Sequence, residues 1–186
     1  MLEEYLPYII IVVIAGALIA ATIVLARLAW RRQMTRYLMD LVGRREAVRT
    51  AFASTEAVVQ ALAARETDDL VAFAEGESED RTTFVEIATR MRIEASELEA
   101  QALPKRLWPL ANALGEAAGR LAAQAGAVGD AAGLDSIEGL AELDLEAVRV
   151  LLVRADEEMD GMLSLYGLTD ATMYSGVDEH AGFEGP

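Results

Sequence analysis

The chain contains no cysteine, one histidine, one lysine and two tryptophans. The first absence removes disulfides, thiolate metal sites and thiol nucleophiles together, and leaves the redox compartment open. The lone histidine, His180, lies near the C-terminus, outside any predicted helix. Zinc and di-iron chemistry therefore lack their usual nitrogen ligands, and a Ser–His–Asp arrangement lacks a base held in place. Neither G-x-x-x-x-G-K-[ST] nor G-x-G-x-x-G occurs. No segment reads as a convincing strand, because the apolar β-branched clusters sit inside helical patterns. These absences predict an all-α chain with no catalytic residues, no cofactor, no metal and no evident small-molecule substrate. It is not expected to be an enzyme.

Charge is plentiful but segregated. The net charge is −15, yet Arg27, Arg31, Arg32, Arg36, Arg44, Arg45 and Arg49 meet only Asp40 and Glu46, so residues 27–49 sum to +5. From residue 50 onward, nine basic residues face twenty-seven acidic ones. A body so acidic repels phosphates and excludes nucleic acid as a partner.

Ahead of the arginines, Tyr5 to Ala26 is an uncharged run of twenty-two residues, "YLPYIIIVVIAGALIAATIVLA". As a helix it covers about 33 Å, enough for the roughly 30 Å hydrocarbon core of a bilayer. Tyr5 and Tyr8 on one side and Trp30 on the other are the amphipathic rings expected at the two interfaces. Arg27, Arg31, Arg32 and Arg36 complete the membrane-interface set. A cleaved signal peptide would need a basic start and a shorter apolar core, whereas Glu3 and Glu4 precede this one. The arginines follow the span, which places the N-terminus outside and the remainder in the cytoplasm. The expected layout is a short extracytoplasmic segment at 1–6, a transmembrane helix at 7–30, an acidic cytoplasmic helical body at 31–166 and a flexible acidic tail at 167–186. Tyr174 and Phe183 could make that tail a short recognition segment.

Past the span the apolar pattern becomes periodic. Met34, Leu38, Leu41, Val48, Phe52, Val59 and Leu62 follow 4–3 spacing, with Arg45 and Thr55 in the intervening slots. The lone Gly43 does not end such a helix. The spacing predicts one helix from the span to about residue 64, extending at most to Ala74. Ser78 is the expected cap of the next helix, after the break "EGESED". Phe84, Ala88, Met91, Ala95, Leu98 and Ala102 form its stripe, up to the proline-marked join "LPKRLWPL". Leu107, Ala111, Leu114, Ala118, Leu121, Ala125 and Val128 form a third stripe, and "GAVGDAAGLDS" (126–136) reads as a loop. Asp144 caps a fourth helix with Val148, Leu152, Ala155, Met159, Met162 and Tyr166 inward. About four helices with short breaks favour an antiparallel bundle, although the same stripes could pair between chains. Gly115 and Gly119, at G-x-x-x-G spacing, would allow close packing within it.

Two local patterns invite chemistry. Asp156, Glu158, Asp160 and Gly161 match positions 1, 3, 5 and 6 of a calcium loop, but position 12 is Gly167 and the apolar stripe runs through it. Glu94 and Glu97 read as a solvated face. Arg44, Arg45 and Arg49 have two readings: anionic headgroups, or the acidic faces of the later helices.

The layout of one span and a cytoplasmic helical body resembles LemA-type membrane proteins in architecture alone. "LAWRRQMTRYLMDLVGRREAVRTAF" is similar to the membrane-to-stalk passage of ATP synthase b subunits. Those continue as a long charged stalk, whereas this chain breaks at 75–80, 104–109 and 126–136. The reading is a membrane-anchored structural or adaptor protein whose partners are the lipid bilayer and other protein chains or its own copies. The alternative is an accessory or signal-transmitting subunit of a membrane transport or respiratory complex.

Overall fold

A computed structural model describes the backbone of residues 2–65, 67–76 and 78–168, and side chains from residue 14 onward except 67–69. The described residues form six α-helices and one 3₁₀ turn, with no strand. They are α1 (Leu2–Ala63), α2 (Thr67–Glu75), α3 (Glu79–Ala100), the turn Lys105–Leu107, α4 (Trp108–Gly129), α5 (Leu134–Ala141) and α6 (Leu145–Tyr166). The chain divides into two compact units, Met1–Met39 and Asp40–Pro186, with the boundary inside α1. The tail beyond Leu168, including Tyr174, His180 and Phe183, lies outside the described residues.

Most positions of the periodic stripes are buried within this one chain, with Ala95, Met162 and Tyr166 half-buried. Met34, Leu38, Leu41, Val48, Phe52 and Leu62 of α1 are covered, and Val59 is half-buried. Both polar slots are covered as well. Thr55 is tolerated because its Oγ1 donates to the Ala51 carbonyl at 2.9 Å, so the hydroxyl needs no water. The helix passes through Gly43, where an added Cβ would meet nothing within 4 Å. Gly43→Ala should therefore raise stability by up to about 1 kcal/mol, read from the urea midpoint in mild detergent.

The first helix stops at Ala63, where the spacing predicts its end near residue 64, and does not run on to the outer bound at Ala74; Ala64 and Arg65 close a turn onto the carbonyls of Ala61 and Leu62. In sequence, Thr67-Asp68-Asp69 is a helix-start signature, and α2 begins there. One expectation needs correction: 126–136 is only partly a loop. α4 continues to Gly129, Gly133 turns the chain with φ +63°, and α5 follows as a second unexpected short helix.

Glycine at 126–129 serves close packing. α3 and α4 run antiparallel, with Leu98 beside Gly115, Ala88 beside Gly126 and Val85 beside Gly129. A Cβ on Gly129 would lie 2.9 Å from both the Val85 backbone nitrogen and its Cγ2. The backbone atom cannot rotate away, so Gly129→Ala should cost about 2 kcal/mol, seen as a lower unfolding midpoint at unchanged slope. The expected G-x-x-x-G contact is weak by comparison. Gly115 has only ordinary van der Waals room against Leu98, and Gly119 faces open space.

α4 is central, packing against α3, α5 and α6. Every position of its predicted stripe is buried. Ser78 caps α3 by accepting from the Arg81 N–H, and Asp144 caps α6 by accepting from the Ala147 N–H at 3.0 Å. Phe73 of α2 meets Phe84 of α3 edge-to-face, with ring centroids 6.2 Å apart. At the end of α3, Ala102 is exposed and outside the helix, and Leu103 is buried instead.

Candidate membrane interface and arginine belt

Among the described residues, one helix is long and apolar enough to cross a membrane, and none of its most apolar window is buried within the chain. Ile14, Leu18, Ile19, Ile23, Val24, Leu25 and Leu28 are between 49% and 66% exposed. A core helix of a water-soluble domain would be mostly covered by its own chain. Trp30 closes the run and is half-exposed. Tyr5 and Tyr8 belong to α1, but their side chains lie outside the described residues.

The arginines that follow fall into two groups. Arg27, Arg31, Arg32 and Arg36 are exposed and make no ion pair among the described residues. Arg44, Arg45 and Arg49 instead hold carboxylates of α3 and α6. Arg44 Nη1 donates to Glu94 at 3.0 Å and Glu97 at 2.9 Å, while its Nε donates to Asp40 at 3.2 Å. Arg49 donates to Asp156 at 2.6 Å, and Arg45 lies 3.7 Å from the same carboxyl group. Of the two readings for these three residues, the acidic-face reading describes the structure. Glu94 and Glu97 are correspondingly more than a solvated face.

Burial alone would lower the pKa of Arg44. Hydrogen bonds to Glu97 and Asp40, and the charges of Asp40 and Glu94, outweigh it and raise the guanidinium above its ordinary value. A raised cationic pKa stabilises the fold fully below the unfolded arginine value, and the gain fades only as pH rises through the folded one. Both lie far above neutrality, so Arg44 gives no pH dependence near pH 7.

The stretch that resembles a calcium loop is helical through Tyr166, with Asp156 engaged by Arg45 and Arg49. Another arginine was not singled out from sequence. Arg81 donates from Nε to the Gly129 carbonyl and from Nη1 to the Ala74 carbonyl, each at 3.1 Å, and from Nη2 to Ala131. It thereby joins the C-terminal ends of α2 and α4. A cation in the first turn of α3 opposes that helix's own dipole, and this was the available signal that its partners lie elsewhere.

No family model, no curated protein and no solved structure matches this chain.

Proposed function

We propose that the chain is a single-pass membrane protein with its N-terminus outside, whose cytoplasmic antiparallel helical bundle acts as a non-catalytic structural or adaptor unit. The observation that carries this reading is the exposed apolar face of residues 14–28, followed at once by four exposed arginines without carboxylate partners among the described residues. An apolar surface of that extent needs lipid or protein cover, and arginines beside it suit anionic headgroups. The ion pairs support the bundle: Arg44 with Glu94 and Arg65 with Asp80 set α1 against α3 in opposite directions, as Arg49 with Asp156 and Arg149 with Glu56 set α1 against α6. An acidic outer surface suits a protein partner, or further copies of the chain, rather than nucleic acid.

The test is membrane fractionation of the full chain. It should resist alkaline carbonate and leave the membrane only with detergent. Protease added to the cytoplasmic face should remove the body while an N-terminal tag stays protected. Release by carbonate alone would sink the anchor; protection of the body would reverse the topology. Detergent extraction followed by the mass and identity of co-purifying chains then separates a subunit of a larger complex from a self-assembling scaffold.

A further inference from the structure

The join between α3 and α4 reverses the charge of the body around it. No acid occurs between Glu99 and Glu116, whereas Lys105, the only lysine, and Arg106 stand side by side. Both are exposed and have no carboxylate partner among the described residues. Elsewhere in the body, Arg65, Arg120 and Arg149 each hold an acid, whereas Arg90, Arg92 and Arg154 are exposed without one among the described residues and stand beside acids in sequence or on their own helix rather than in an acid-free stretch. Next to the pair is Trp108, half-exposed, with Lys105 Nζ 5.9 Å from its ring centroid. The indole N–H already donates to the Leu103 carbonyl at 3.0 Å, so the exposed part of the residue is apolar. A tryptophan with its polar edge satisfied, beside two cations, is the composition found at a bilayer interface.

Two further features agree. α4 starts at this join without a side-chain cap and with no acid in its first turn, so no carboxylate of its own offsets the positive end of its dipole. Gln101 Nε2 donates to Asp40 at 2.8 Å, which ties the start of the join to α1.

We propose that the α3–α4 join is a second membrane contact, in which Lys105 and Arg106 bind anionic lipid headgroups and Trp108 enters the interface. This rests on the anchoring of α1 proposed above. In function it would hold the acidic body against the bilayer that otherwise repels it, orienting the rest of its surface toward partners.

The chain has two tryptophans, which makes each a separate reporter. The full chain, as Trp30→Phe or as Trp108→Phe, is reconstituted in phosphatidylcholine vesicles with and without phosphatidylglycerol, each containing a brominated lipid as quencher. The expected result is Trp30 quenched in both mixtures, and Trp108 blue-shifted and quenched only with phosphatidylglycerol. High salt, or Lys105→Gln with Arg106→Gln, should abolish the Trp108 signal and leave Trp30 unchanged. Quenched Trp30 with water-exposed Trp108 in both mixtures overturns the second contact alone and leaves the join to a protein partner. Trp108 quenched equally without phosphatidylglycerol overturns the headgroup recognition. Unquenched Trp30 overturns the anchor, and the second contact falls with it.

Discussion

An Arg81→Met variant should unfold with about 3 kcal/mol less stability than the parent chain, measured by urea titration in mild detergent. Methionine keeps the apolar stem but removes three hydrogen bonds from a charged donor. The carbonyls of Ala74, Gly129 and Ala131 lose that donor together. Hydrogen bonds to charged groups contribute about 1.5–3 kcal/mol each when buried, and partial solvation of this site reduces the total. Arg81→Lys should recover only part of the loss, since one ammonium cannot reproduce the planar fork. The position of Gly76 sharpens the expectation. It adopts φ +88°, and a Cβ there would lie 3.0 Å from Arg81 Nη1, so the turn after α2 closes directly on the guanidinium. Equal stability of parent and Met variant would mean that water replaces all three bonds without loss.

Asp156→Ala should cost a similar amount, about 3 kcal/mol, for a different reason. Its carboxylate faces two arginines of α1, of which Arg45 has a side chain only 5% exposed and Arg49 one that is 48% exposed. Arg49 can turn to water. Arg45 cannot, and a buried cation that loses its acid is destabilising by about 3–5 kcal/mol. Arg45 has other interactions as well, which places the loss at the low end of that range. A double-mutant cycle with Arg45→Gln isolates the coupling, expected at about 1–2 kcal/mol. Removing the surface acid Glu56, which pairs with Arg149, should matter far less, because exposed pairs are screened. If Asp156→Ala and Glu56→Ala had equal effects, the buried position of Arg45 would carry no energetic weight.

The sequence was most legible where periodicity and capping act locally. The 4–3 stripes of α1, α3, α4 and α6 needed only side-chain spacing, and Ser78 and Asp144 needed only the few residues they cap. Arg27, Trp30, Arg31, Arg32 and Arg36, proposed as membrane-interface residues from the order of charge and apolarity along the chain, are exposed. Glycine misled. Composition reads 126–136 as a loop, but Gly129 is small because α3 passes against it, a fact held in another segment.

The sequence by itself determined helix as the only regular structure, a span-length apolar run and the stripes that must be covered. These follow from the period of the α-helix and from the cost of exposing apolar surface, both of which are written in consecutive residues. Only the tertiary structure decided which charges meet. It gave Arg44 to a carboxylate fifty residues away, Arg45 and Arg49 to one more than a hundred residues away, and Arg81 to the ends of two other helices. It also left Lys105 and Arg106 without an acid among the described residues. Pairing of charges depends on distance in space, and an arginine's neighbours in sequence do not reveal which acid the fold will bring within 3 Å.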